Sequence, residues 1–389
     1  MRRPQALFAC ALIWASLLTS IAPVAAQPAP VSSPPPIAAR SFILQDYHSG
    51  HVIASKAADT QFEPASLTKV MTAYVVFQEL RAGNIDLAEE VTISERAWRM
   101  PGSRMFVEVG TRVTVEQLLK GMIIQSGNDA SVALAEHVAG SEEAFAGMMN
   151  YYAERLGMQQ SRYYNASGLP AEGHLTTASD MARLARAMIE EFPEYYAWYS
   201  VREFTYNEIR QTNRNPLLWR DPSVDGLKTG HTTAAGYCLT TSAERDGMRL
   251  ITVVMGSASA QSRGDESQAL LNYGFRFFET HRLFDQHASV TTAPVYKGQT
   301  DELSLGLDQT LFVTLPRGQY SRLQAESNVE EPLIAPIGKH QQLGSLRLSL
   351  GGETLAEHPL LALDEVEQAG WWKRTRDGIG LWVSGLLGR

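Results

Sequence analysis

Three short segments, Ser66-Leu67-Thr68-Lys69, Ser126-Gly127-Asn128 and Lys228-Thr229-Gly230, follow one another at intervals of about 60 and about 100 residues. If they form one site, a stretch near the start of the chain must lie against a segment formed about 160 residues later. A nucleophilic serine is the chemistry that would require this. Its hydroxyl is weak at neutral pH and needs an adjacent base. Residues three apart share a helical face, so a helix starting near Pro64 presents Ser66 beside Lys69. The lysine must be neutral to act, yet a free lysine titrates near pH ~10.4, so burial and a neighbouring cation have to lower its pKa. Lys228 is the candidate cation. Taken singly, each segment is ordinary helix-start, turn or strand-end chemistry. Their joint order and spacing argue for one site.

The rest of the chain can be read around that requirement. Alternation over Ser41–Tyr47 and His51–Ala54 around Ser49-Gly50 predicts a hairpin. Val70, Ala73, Tyr74 and Phe77 recur at helical spacing behind Lys69, with Gly83 as the stop. Thr114 and Gln117 form a capping-box pattern for a helix that leads into Ser126. Helical stretches follow at about 129–138, 141–156 and 179–190, then strands at 203–206, 226–231, 237–242 and 250–256, then a helix at about 264–280. Strands flanking a helical middle predict an α+β fold over residues 38–283, one antiparallel sheet covered by helices. The Lys228-Thr229-Gly230 strand should line the cleft beside the nucleophile helix. From 284 to 365, short alternating runs between Gly, Pro and Asp turns predict a smaller all-β domain, a spacer without chemistry.

The two ends carry different signals. Residues 1–26 combine Arg2 and Arg3, an apolar run from Ala6 to Ile21 and Val24-Ala25-Ala26, the pattern of a secretory signal. Five prolines within 27–37 predict a linker. Cys10 lies in the signal, so Cys238 remains alone and no intramolecular disulfide is expected. A formal charge of -8 with 44% hydrophobic residues gives no electrostatic reason to expect nucleic-acid binding. Over 366–389, Trp371, Trp372, Thr375, Ile379, Trp382, Val383, Leu386 and Leu387 fall on one helical face, opposite Lys373, Arg374, Arg376 and Asp377. This predicts an amphipathic helix on a membrane surface; the alternative is a helix docked on the protein's own core. The expected location is the periplasmic face of the cytoplasmic membrane, held peripherally.

The motif set resembles that of penicillin-binding proteins and serine β-lactamases. Pro64-Ala65-Ser66-Leu67-Thr68-Lys69, Gln125-Ser126-Gly127-Asn128-Asp129-Ala130, Asn213-Arg214-Asn215, Val224-Asp225-Gly226-Leu227-Lys228-Thr229-Gly230-His231-Thr232 and Gly274-Phe275-Arg276-Phe277-Phe278 look like the membrane-anchored D-alanyl-D-alanine carboxypeptidases. The resemblance covers about residues 38 to 389. It implies a hydrolase that removes the C-terminal D-alanine from peptidoglycan pentapeptides and is acylated by β-lactam antibiotics.

By this resemblance Ser66 is the nucleophile, Lys69 its base and Ser126 the proton relay, with Lys228 holding the Ser126 hydroxyl. Asn128 orients the substrate amide, the backbone N–H groups of Ser66 and His231 form the oxyanion hole, and Thr229, beside Gly230, acts with Arg263 on the terminal carboxylate. No cofactor and no metal are implied: the nine histidines are scattered and His-Glu-x-x-His is absent. A β-lactamase or an endopeptidase on the same fold is the alternative; Glu172-Gly173-His174-Leu175-Thr176 imitates part of the β-lactamase glutamate motif and is assigned to a surface loop. A non-catalytic envelope-binding module is a third reading. Oligomeric state is not specified by the sequence.

Overall fold

The computed structural model describes residues 32–386, so the expected signal at 1–26 lies outside the described residues. Five antiparallel strands form the main sheet: β1 (Ser41–Asp46), β2 (Val52–Lys56), β3 (Val224–Thr232), β4 (Gly236–Arg245) and β5 (Met248–Ser257), in the order β2-β1-β5-β4-β3. The central strands are apolar on both sides because both faces are covered. Ile43, Ile251 and Val253 enter a large core with the helices Thr68–Ala82, Asn128–Ala139 and Ala178–Glu191, while Phe42, Leu44, Leu250 and Val254 enter a second core with the helix Ala260–Phe277. The sheet's edge position leaves β3, which carries Lys228-Thr229-Gly230, open on one side.

Helix Thr68–Ala82 runs through the middle of the large core, and every residue from Thr68 to Phe77 is buried. Such a helix is apolar all round rather than along one stripe. Ser66 is not within it: Ala65–Leu67 form a 3-10 turn, and the α-helix starts at Thr68. Helical structure thus begins beside Pro64 as expected, but its first turn is 3-10, with Ala65 at φ +47° outside the right-handed helical region. The strand expected at 203–206 does form, but pairs only with Ile209–Thr212 as a separate hairpin. Its mostly exposed or half-buried residues do not suit a sheet covered on both faces.

Beyond the helix Ala260–Phe277 the chain is β-structured, with a third core built from Leu303, Leu305, Val313, Leu346, Leu348 and Leu360 among others. The strand Phe278–Phe284 pairs with Leu311–Pro316, so β-structure begins several residues ahead of the expected boundary at 284. A buried polar knot ties this part to the hairpin of β1 and β2. Asp46 accepts from Ser49 N at 2.7 Å, Ser49 Oγ at 2.8 Å and Thr280 Oγ1 at 2.7 Å, and Ser49 Oγ also meets Thr314 Oγ1 at 2.6 Å.

The last helix, Trp371–Leu386, lies against the β part through its charged side. Asp377 accepts the Lys297 N–H at 2.7 Å, and Lys373 pairs with Asp301 at 2.7 Å. Trp371, Trp372, Ile379, Trp382 and Val383 face outward, the most open, Trp372, at 73% exposure. Among the described residues no helix is long and apolar enough to cross a membrane.

Asp46 is fully buried, so Asp46→Ala would strand donors from both parts of the junction. The variant should lose about 1–3 kcal/mol of unfolding free energy. Denaturant titration checks this, as a lower midpoint than the parent.

Candidate active site

The three segments meet. Lys69 Nζ lies 3.1 Å from Ser66 Oγ, 2.7 Å from Asn128 Oδ1 and 2.6 Å from the Ser167 carbonyl. The Asn128 amide is held in one orientation because its Nδ2 donates to Pro101 O at 2.6 Å, which turns Oδ1 toward the lysine. The hydrogen-bonding sense follows. Two of the three partners can only accept, and a neutral amine has two N–H groups and one lone pair. Once both N–H groups are spent on Asn128 and Ser167, the lone pair is left for the Ser66 hydroxyl.

Neutrality is favoured by the surroundings. Burial first, and the Arg214 guanidinium second, bring Lys69 down from its ordinary value to about 7, against opposing pulls from Asp129 and Glu142. Those two carboxylates are already engaged. Asp129 accepts N–H bonds from Met105, Phe106 and Val107, and Glu142 accepts from Ala166 N and Arg96. Lys228 is also pushed well down, by burial and then by Lys69 and Arg214. Two ammonium groups in one buried cleft disfavour each other, so Lys69 and Lys228 repel as expected, and Arg214 acts on both.

Strained backbone flanks this chemistry. Ala65, just before Ser66, has φ +47°, and Ser126 sits at φ +69° where a π-helical turn, Gly121–Gln125, ends. Two glycines permit the close packing. A Cβ on Gly168 would stand 1.8 Å from Ala65 O, and one on Gly230 would stand 3.0 Å from Pro64 O and 3.2 Å from Ser66 N. The Gly230 contact puts the edge of β3 alongside the Ser66 amide.

The remaining expected residues fall around the same cleft with differing engagement. Ser126, Asn128, Lys228 and Thr229 are buried. Lys228 Nζ donates to Thr229 O at 3.1 Å, and the expected hydrogen bond from Lys228 to the Ser126 hydroxyl is not formed among the described residues. Arg263 is buried rather than solvated; its Nη1 donates to Gly230 O at 3.0 Å while Nε has no partner. The His231 ring is exposed and stacks on Tyr237 at 4.0 Å, away from the base position.

Sequence reasoning missed Ser167, Asp129, Glu142 and the weight of Arg214. Ser167 acts through its carbonyl, which has no side-chain signature. Its loop is nevertheless marked by Asn165, whose Oδ1 accepts from Gly168 N at 2.7 Å, a local turn that Asn-x-x-Gly could have suggested. The assignment of 172–176 to a surface loop holds for Glu172, which is exposed, but not for His174 and Thr176, which are buried.

With the geometry in hand, known proteins can be compared. A family model described as D-alanyl-D-alanine carboxypeptidase matches residues 28–259, and one described as penicillin-binding protein 5, C-terminal domain, matches residues 278–368. The chain is 45% identical over 353 residues to the D-alanyl-D-alanine carboxypeptidase DacC of Escherichia coli, covering 89% of this chain and 88% of the relative. It is 36% identical over 350 residues to DacF of Bacillus subtilis, covering 89% and 90%. Among solved structures, penicillin binding protein 5 from Haemophilus influenzae aligns with a TM-score of 0.85 at 39% identity, covering 87% of this chain and 100% of that one.

Acylation of this serine should follow loss of the lysine proton, so its rate should climb with pH through an acid limb near pH 7. Lys69→Arg, permanently charged, should remove the limb and slow acylation by about 10²–10⁴-fold. Stopped-flow rates across pH 5 to 9 measure both effects.

Proposed function

This chain belongs to the D-alanyl-D-alanine carboxypeptidases, and from that premise we propose that it hydrolyses the terminal D-alanyl-D-alanine bond of peptidoglycan stem peptides through an acyl-enzyme on Ser66. Neutral Lys69 takes the Ser66 proton as Oγ attacks the carbonyl between the two D-alanines. The tetrahedral oxyanion is held by the backbone N–H groups of Ser66 and His231, an arrangement worth about 3–4 kcal/mol per donor. Ser126 passes a proton to the leaving amine, and D-alanine departs. Water then cleaves the ester and restores Ser66. Asn128 aligns the substrate amide, while Lys228, Thr229 and Arg263 receive the terminal carboxylate.

The observation that carries this reading is the three-oxygen surround of Lys69 Nζ, with two acceptor-only groups at 2.7 and 2.6 Å and the nucleophile at 3.1 Å. The free Nε donor of the buried Arg263 supports the carboxylate assignment. A β-lactamase needs a further carboxylate free to activate water. Glu172 is exposed, and Asp129 and Glu142 are consumed by backbone and arginine donors, so the sequence-level imitation of that motif has no support.

Peptides ending in D-alanyl-D-alanine should release D-alanine, whereas benzylpenicillin should leave an adduct on the Ser66 peptide that persists for minutes or longer. Mass spectrometry after penicillin exposure tests the assignment. An adduct elsewhere, or one surviving in Ser66→Ala, would overturn it.

The outward apolar face of Trp371–Leu386 supports peripheral attachment to a lipid surface on the periplasmic side, with tryptophans at the headgroup level. A chain ending at Glu367 should be released from membranes without detergent and keep its activity on small peptides. Fractionation and a D-alanine release assay read both outcomes; membrane retention of the shortened chain would assign the tail another role.

A further inference from the structure

The segment from Tyr163 to Thr176 touches the nucleophile helix at three successive places. Thr72 Oγ1 donates to Ala166 O at 2.7 Å, Lys69 Nζ donates to Ser167 O at 2.6 Å, and Thr68 Oγ1 meets His174 Nε2 at 3.0 Å. The first two contacts use backbone carbonyls of the segment and the third uses a side chain. His174 is 2% exposed, its ring stands edge-on to Tyr163, and the Tyr164 N–H approaches its Nδ1 at 3.4 Å. A backbone N–H can only donate, so Nδ1 is the acceptor and the ring proton sits on Nε2, which donates to Thr68 Oγ1. The imidazole thereby ties two points of the segment, Tyr164 and residue 174, to the residue immediately before Lys69.

We propose that His174 is a positioning residue for the reaction. By clamping this segment to Thr68 it keeps the Ser167 carbonyl on Lys69 Nζ, so that the amine lone pair stays aimed at Ser66. This inference rests on the reading of Lys69 as base. The ring touches neither Ser66 nor Lys69 and acts through Thr68 and the segment.

The arrangement makes the imidazole's role separable from that of a packing residue. Ser167 O consumes one of the two N–H groups of the neutral amine. If the segment loosens, the amine can rotate and donate to Ser66 instead of accepting from it. Water also gains access to Lys69, and since burial is the largest cause of that lysine's lowered pKa, hydration returns it toward its ordinary value. A purely structural role would lower stability and leave both the rate and the pH profile unchanged. Burial holds His174 itself down to about 4, so the ring remains neutral across the working range and its own titration does not enter the profile.

The test compares the full chain with His174→Ala, His174→Gln and Thr68→Val. The readouts are D-alanine release from a peptide ending in D-alanyl-D-alanine, acylation by benzylpenicillin and thermal unfolding. His174→Ala should lower kcat by about 10-fold or more and move the acid limb of acylation to higher pH. Glutamine can donate to Thr68 and accept from Tyr164, so His174→Gln should recover most of the rate and the original limb. Thr68→Val removes the same hydrogen bond from the other partner, should reproduce the His174→Ala shift, and answers the question if His174→Ala does not fold. Parental kcat and an unmoved limb in folded His174→Ala or Thr68→Val overturn the proposal, even if the melting temperature falls. If the parent chain itself shows no Ser66 adduct, the failure belongs to the acyl-enzyme reading instead.

Discussion

A lysine amine surrounded by three oxygens inside a buried core sets the terms for the candidate site. Burying an ammonium is costly, and burial brings the Lys69 pKa down to about 7, which favours the neutral amine that the proposed chemistry needs. The surrounding elements each serve that state. The buried stretch Thr68–Phe77 of its own helix covers one side, the segment around Ser167 closes another, and Asn128 is locked by Pro101 so that it presents oxygen rather than nitrogen. Arg214 adds a positive field without a hydrogen bond to the amine, and Asp129 and Glu142, which oppose it, accept their hydrogen bonds from other groups.

This surround requires very close backbone approaches, and the strain is placed accordingly. Ala65 and Ser126 both occupy the left-handed region, the first beside Ser66 and the second within the Ser126-Gly127-Asn128 segment. Such conformations cost about 1–3 kcal/mol each and persist only where the neighbourhood dictates them. Here the neighbourhood is glycine: Gly168 under Ala65 O and Gly230 against Pro64 and Ser66. The edge location of β3 completes the logic, since an edge strand has backbone groups free for an extended peptide while a central strand has none.

The β part is fastened to the catalytic part by polar contacts in a buried knot, centred on the Asp46 carboxylate, which holds the β1–β2 turn through Ser49 and reaches the β part through Thr280. The tail repeats the pattern in the open. Lys373 and Asp377 of its charged face meet Asp301 and the Lys297 amide, which leaves the tryptophan face outward. The two sequence alternatives for this helix, docking on the protein and facing a membrane, thus involve opposite faces and do not compete.

The amino-acid sequence by itself determined the α+β reading, the positions of the long helices and the convergence of Ser66, Lys69, Ser126, Asn128 and Lys228, because these depend on periodicity, capping and spacing, which are local or countable. Gly83 and the Thr114–Gln117 box stop and start helices where the pattern says, for the same reason. Tertiary structure alone decided what surrounds the lysine. A backbone carbonyl such as that of Ser167 carries no residue-type signal, the burial of His174 depends on what packs over it, and the action of Arg214 on both lysines depends on a placement that spacing does not encode. The turn at Ala65–Leu67 belongs with these, since nothing in Pro-Ala-Ser demands a left-handed alanine until Gly168 and β3 press against it.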